Sequence, residues 1–318
     1  MFQKLISTSD LNLMKKQIEI IVENKSLFLG IAILMVLFYH QPVDGAINSI
    51  YFYPGFLGVD IFMFFSGLGL CYSYNKNNIR TFYVHRMKRI IPLYIILGLL
   101  VSLYNYKSNS FWDFFCNIST LSYYGLGGIM YEWYLSSLFV FYLFFPLLYK
   151  AVNKFDKLSL LSIVWCFIMI LFSLFNIPWQ FETALGRIPI FILGILCFID
   201  KSKYKSCIYI FLIFFLISLV LYFYGKIRTY VLLYCISPVI IYCFSYFVHM
   251  IKTKKNACSF LMFMGNKSLE IYVSNCIVMK YMSHNFHGLS ATVIYWFSIL
   301  LLIPIMCWIN NRIAKVLC

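Results

Sequence analysis

Long apolar stretches separated by short polar ones dominate this chain. Runs of membrane-spanning length fall near residues 26–43, 53–74, 90–106, 132–150, 158–176, 183–199, 206–224, 229–249, 260–281 and 290–311. A helix of about 20 residues crosses the roughly 30 Å hydrocarbon core of a bilayer. The pattern therefore predicts an all-α, polytopic membrane helical bundle with about ten transmembrane helices. Residues 111–131, rich in Ser, Gly and Tyr, read as a loop, a re-entrant piece or a short extra helix. The ninth run is interrupted by polar residues. The first 25 residues are polar and mildly amphipathic, so residues 1–25 are expected to form a cytoplasmic N-terminal segment rather than a signal peptide. Residues 26–318 are expected to form a single transmembrane domain.

Composition agrees with that setting: 62% of residues are hydrophobic, 20% aromatic and only 12% charged, with a mean hydropathy of +0.83. The net charge of +15 takes its meaning from position. Of the 26 Lys and Arg residues, only Lys107, Lys226, Arg228 and Lys280 fall in segments expected outside, and Arg187 lies within the sixth span. The others collect in alternate connections, which places both termini in the cytoplasm. A basic cytoplasmic face serves topology and anionic lipids, so nucleic-acid binding is not implied. The 11 cysteines include no C-x-x-C pair and lie mainly in the spans, where Cys behaves as a small apolar residue. Neither disulfides nor a metal site is inferred.

A few polar groups in apolar surroundings carry the candidate chemistry. The first span ends in His40, expected at its outer end, where an imidazole can accept a proton near neutral pH. The plainer alternative is a histidine bonded to water or to a neighbouring helix. Asp60, an intramembrane carboxylate in the second span, is expensive without a partner. Pairing with His40 would fix the imidazole tautomer and stabilise its cation, as a general base requires. Its alternative role is a helix N-terminal carboxylate favoured by the dipole. Gly67 and Gly69 in the same helix read as close-packing positions. In the run Thr81–Tyr94, Arg86 and Arg89 lie three apart and share a helical face suited to gripping phosphates, beside His85 and Lys88 and ahead of Pro92. Positive-inside anchoring is the competing explanation. The first span climbs about 20 Å to His40, comparable with the reach of a long phosphorylated carrier arm.

The order of these motifs resembles the membrane-bound acyltransferase 3 family of bacterial glycan O-acyltransferases, over most of the chain. LGIAILMVLFYH is similar to the family's first-helix motif ending in a histidine, and GVDIFMFFSGLGL to its G-V-x-x-F-F-x-x-S-G signature. FYVHRMKRIIPLY resembles R-x-x-R-I-x-P-x-Y, with Arg86 and Arg89 in the two arginine positions. WYLSSLFVFYLFFPLL resembles the W-x-L…F-Y-x-x-x-P helix, RIPIFILGIL the R-x-x-x-F-x-x-G element, and GNKSLEIYVSN the G-x-x-S-L-x-I-Y-L-x-H element.

The resemblance implies a transmembrane acyltransferase domain in which acyl-CoA, usually acetyl-CoA, binds from the cytoplasm as donor. An acceptor hydroxyl on the far side, on a surface polysaccharide or its lipid-linked precursor, would be acylated, with no metal taking part. His40 would be the base that activates the hydroxyl, and Arg86 and Arg89 would hold the CoA phosphates. The expected location is the bacterial cytoplasmic membrane. Leu29 stands where the family usually has an arginine eleven residues before the histidine, and Lys25, one turn earlier on the same face, is the candidate to stand in. Leu138 replaces the usual glutamate after Trp133, with Glu132 just before that tryptophan instead, and Asn275 replaces the late histidine. Arg187, Trp133, Glu132 and Asn275 are expected to touch substrate or to serve structure, and for Arg187 the structural option is an ion pair with Glu182 or Asp60. A lipid-linked glycan flippase or a polysaccharide polymerase is the alternative class. A flippase should show paired half-repeats, yet no second copy of the His40 or Arg86 motif is found.

Overall fold

Hydrocarbon offers no partner for a free N–H or C=O, so a chain this apolar is driven to satisfy its backbone within helices. A computed structural model describes residues 17–42, 47–104, 110–128, 132–282 and 288–317, and there the regular structure is helical throughout. The N-terminal helices are α1 (Gln17–Glu23) and α2 (Lys25–His40), joined at Asn24 with a 77° bend. The Asn24 side chain donates to the Ile20 carbonyl at 2.7 Å, satisfying an acceptor in the last turn of α1. The long helices α3 (Ile47–Lys76) and α4 (Ile79–Tyr104) follow. Asn78 caps α4 by accepting from the Thr81 N–H at 2.8 Å. Pro92 therefore lies inside α4. The span expected to open near residue 90 begins eleven residues earlier, because hydropathy does not register the basic turns that precede the apolar ones.

Of the segment 111–131, residues 129–131 lie outside the described residues and the part to 128 contains the short helix α5 (Phe111–Ile118) and a 3-10 turn at Leu121–Tyr124. Ser110 and Asp113 form a reciprocal capping box at the start of α5, and Asp113 also accepts from the Gly128 N–H at 2.7 Å. The remaining helices are α6 (Trp133–Lys154), α7 (Lys157–Leu174), α8 (Trp179–Leu185), α9 (Ile188–Ile199), α10 (Tyr204–Phe223), α11 (Thr229–Ile251), α12 (Lys255–Asn266), α13 (Ser268–Met282) and α14 (Gly288–Leu317).

Among the described residues, eight stretches, counting α8 and α9 together, are long and apolar enough to cross a membrane, and nine if α1 and α2 are taken as one bent span. About ten were expected, and the shortfall has a clear origin. The run 260–281 divides at Lys267 into α12 and α13, of 12 and 15 residues, which reach only about 18 and 22 Å. Outward faces are greasy, as lipid contact demands: Ile163, Phe167, Ile170 and Leu174 line the exposed side of α7, while Leu161, Trp165, Ile168 and Phe172 line its buried side.

The helices group into two compact units, and α2, α3 and α6 contribute residues to both. The first takes the described residues through Met35, then Phe56–Tyr72 and Pro146–Asn266. Its centre is α9, whose residues Pro189–Cys197 are all buried and which touches α7, α10 and α11. Gly67 of α3 and Gly194 of α9 allow the two backbones to meet: a Cβ on Gly67 would overlap the Phe191 carbonyl, and one on Gly194 the Phe64 carbonyl. The second unit comprises Val36–Gly55, Ser73–Phe145 and Lys267–Cys318. In it α13 packs on α14 and α4, and α4 on α5.

Candidate functional site

In the second unit, His40 is the last residue of α2 and is half-buried. Its Nδ1 lies 2.8 Å from the side-chain amide nitrogen of Asn275, on α13. Asn275 is fully buried, so its amide must find partners inside the protein. The buried Tyr295 hydroxyl of α14 meets it, 2.6 Å from Asn275 Oδ1 and 3.0 Å from the Leu37 carbonyl of α2. The same face of α14 holds the end of α2 at two further points. Thr292 donates to the Pro42 carbonyl at 2.5 Å, and Trp296 Nε1 donates to Gln41 Oε1 at 3.2 Å. Positions 292, 295 and 296 share one face at helical spacing, and they meet the Pro42 and Leu37 carbonyls and the Gln41 side chain at the C-terminal end of α2.

One turn before Asn275 on α13, the Tyr272 hydroxyl donates to Glu132. Glu132 precedes α6 and caps it, with Oε2 accepting from the Leu135 N–H at 2.7 Å and Oε1 from the Tyr134 N–H at 3.3 Å. Tyr134 and Tyr272 meet edge to face, 4.9 Å between ring centroids. Trp133 is the half-buried first residue of α6. Through α13 the second unit thus joins His40 and Asn275 to the Glu132 cap. Arg86 is half-buried and Arg89 exposed on α4, three residues apart, with Lys88 half-buried and His85 exposed beside them. The flanking Phe82 and Ile90 are buried, and Phe82 stacks on Phe145 at 5.5 Å.

A different polar cluster sits in the first unit. Arg187, at the break between α8 and α9, places Nε 2.8 Å from Asp60 Oδ1, both side chains being fully buried. The contact is ionic, off the line a hydrogen bond needs. Ser237 donates to the other Asp60 oxygen. Arg187 Nη1 donates to the Thr183 carbonyl at 2.8 Å and to the Tyr234 hydroxyl at 3.2 Å, and Nη2 donates to the Phe56 carbonyl at 3.3 Å. The guanidinium also lies 4.7 Å from the Tyr234 ring centroid. Glu182 is taken by Arg228 at 3.0 Å and by the Tyr230 hydroxyl at 2.5 Å. Lys25, half-buried at the start of α2, lays its ammonium over Gly69 of α3.

These partners revise the expected His40–Asp60 pair. Asp60 is engaged by Arg187 and Ser237, and the imidazole by Asn275. The physical reason is charge: a buried guanidinium demands a carboxylate far more strongly than a neutral ring does. Nor is Asp60 at a helix N-terminus, since α3 begins at Ile47. Of the options weighed for Arg187, the ion pair with Asp60 is the one formed. Tyr295, Tyr272 and Ser237 were not picked out from sequence. For Tyr295 a signal existed: Thr292, Tyr295 and Trp296 are polar-tipped residues on one face of an otherwise apolar helix. Among the described residues, no group of three or more His, Cys, Asp or Glu side chains is placed to hold a metal ion.

A sequence profile described as an acyltransferase domain, that of the acyltransferase 3 family, matches residues 29–311. No curated protein and no solved structure matches the chain.

Proposed function

This chain belongs to the acyltransferase 3 family and is an acyltransferase, and from that premise we propose that it moves an acetyl group from cytoplasmic acetyl-CoA to a hydroxyl outside the membrane. The acceptor is a surface polysaccharide or its lipid-linked precursor. The enzyme resides in the bacterial cytoplasmic membrane with both termini inside. The observation that carries this reading is His40 itself, a half-buried imidazole at the very end of α2 whose Nδ1 is occupied by Asn275. One ring nitrogen is held and the other is left to work.

The chemistry follows from that arrangement. The acceptor hydroxyl approaches the thioester carbonyl, and His40 removes its proton as the new C–O bond forms. The tetrahedral intermediate collapses with cleavage of the C–S bond, and the imidazolium returns the proton to the departing CoA sulfur. Arg86 and Arg89 supply two positive charges on one face of α4 for the CoA phosphates. Lys25 is a further donor-side cation. Membership of an acyltransferase family decides against the flippase and polymerase alternatives.

The test is O-acetyl content of surface glycans, read by NMR before and after mild base, in a deletion strain carrying wild type or His40→Ala. Acetyl signals that return only with wild type are the expected result and identify the sugar. Acetylation independent of the gene overturns the acceptor assignment, and acetylation restored by His40→Ala overturns the role of the base.

A further inference from the structure

Resting on the assignment of His40 as base, we propose that Asn275 and Tyr295 are positioning residues that fix its tautomer, with the proton on Nδ1 and Nε2 bare toward the acceptor hydroxyl. Asn275 and Tyr295 are each fully buried, and three contacts join them to α2: Asn275 to His40 Nδ1 at 2.8 Å, Tyr295 to Asn275 at 2.6 Å, and Tyr295 to the Leu37 carbonyl at 3.0 Å.

With the amide nitrogen toward His40, the single hydroxyl proton of Tyr295 faces two acceptors, Asn275 Oδ1 and Leu37 O. One of those close oxygen–oxygen contacts then has no hydrogen in it. The same orientation makes Nδ1 the acceptor, which puts the ring proton on Nε2 and removes the lone pair that a base needs there. A half-turn of the amide about its χ2 bond exchanges two groups of nearly equal size, and hydrogen bonding alone distinguishes them. The turned amide puts one hydrogen in each contact, with the amide nitrogen 2.6 Å from the Tyr295 oxygen. Asn275 Oδ1 accepts from the His40 Nδ1–H, its NH2 donates to the Tyr295 oxygen, and the Tyr295 proton goes to Leu37 O. That carbonyl has a second lone pair for the Gln41 N–H, 3.1 Å away. Each of the three contacts then holds one hydrogen, and the direction of the chain is set by a backbone carbonyl that cannot reverse.

The anchor lies on the helix that carries the base, since Leu37 is one turn before His40 on α2. Asn275 thus does for the imidazole what a carboxylate does in a Ser-His-Asp triad, orienting it and selecting its tautomer, without adding a charge.

The experiment uses the full-length enzyme in nanodiscs with 15N-labelled histidine, the His40 signals being assigned by their loss in His40→Ala. The expected spectrum of the neutral ring shows a protonated Nδ1 and a bare Nε2. A protonated Nε2 in the wild-type protein overturns the proposal. Steady-state kinetics supply the second reading. Asn275→Leu should lower kcat by about 10²- to 10³-fold, within the range of general-base contributions, with KM for acetyl-CoA unchanged, and it should shift the ring proton to Nε2. Asn275→Asp, which keeps an acceptor toward Nδ1, should retain kcat within about tenfold, and Tyr295→Phe should lose about three- to tenfold, since the chain is loosened but not cut. Unchanged kcat in Asn275→Leu, or equal losses in the Leu and Asp variants, also overturns the proposal. Should Asn275→Leu fail to fold, the wild-type spectrum and the Asp variant still decide. Full transfer by His40→Ala would remove the base assignment while leaving the measured tautomer as it stands, so the two failures are distinguishable.

Discussion

Two buried polar clusters, one in each unit, use their hydrogen-bonding capacity in opposite ways. Around Asp60 and Arg187, opposite charges face each other with both side chains fully buried, and Ser237, Tyr234, Thr183 and Phe56 fill the remaining sites. Such a cluster holds three helices in one arrangement and leaves nothing to react. Around His40 the partners are neutral, Asn275 and Tyr295, the imidazole is half-buried, and its second nitrogen has no hydrogen-bond partner among the described residues. Intramembrane polarity is costly in both places, but saturation by charge marks structure, and a neutral network that stops one bond short marks chemistry.

The comparison can be broken at its strongest point by His40→Ala. Acyl transfer should fall by about 10²- to 10⁴-fold, the range for loss of a general base, with the protein still inserted and folded, as judged by yield and size-exclusion profile. A variant that instead fails to accumulate would make His40 a structural residue like Asp60. The complementary break is Asp60→Leu, which strands a buried guanidinium and should cost about 3–5 kcal/mol, a large part of the usual 5–15 kcal/mol. Thermal unfolding in detergent should show a markedly lowered Tm, and Asp60→Leu combined with Arg187→Leu should recover much of it. If Asp60→Leu keeps the wild-type Tm and loses only transfer, the first cluster is chemical after all. A milder change sharpens the donor side: Arg86→Ala with Arg89→Ala should raise KM for acetyl-CoA about tenfold or more with little change in kcat, as loss of two charge-assisted phosphate contacts predicts. Unchanged donor dependence would remove both arginines from the CoA site.

The smallest effect concerns the capping box ahead of α5. The Ser110 hydroxyl, followed by the N–H groups of Gly128 and Ser110, holds the Asp113 carboxyl below the usual carboxylate range. Its contribution to order is therefore full above the unfolded-state pKa of about 3.9, and it fades as pH falls through the lower folded value. Hydrogen exchange of the described residues 110–128 should speed up at acid pH, and Asp113→Asn should bring the same loosening at neutral pH. Exchange that ignores both pH and the substitution would show that the box is dispensable.

Hydropathy carried the spans well because lipid imposes one simple demand, and it failed where that demand is mixed. The basic turns of α4 are helical but not apolar, so its start was placed too late. The break at Lys267 hides inside a run that is apolar on average. At the candidate site, His40 stood out because a titratable group ends an apolar helix, and Asn275 because it sits where a motif has histidine. Their contact was not legible: 235 residues separate them, and helical periodicity relates only neighbours a few residues apart. Asp60 is legible as a costly charge, but its partners Arg187 and Ser237 are not, since sequence shows that a charge needs compensation and not which group supplies it.

The face of α14 that grips the end of α2 bears on the order in which the molecule comes into being. Tyr295 closes on Leu37 across 258 residues and Thr292 on Pro42 across 250. A chain made from its N-terminus places His40 early, then waits for nearly all its remaining helices before the end of α2 can be clasped. His40 is made early and its surroundings are completed last, so a polypeptide interrupted before α14 has the Asn275 amide without Tyr295 and the end of α2 without its clasp. Completion of the chain and completion of the His40 network are one event.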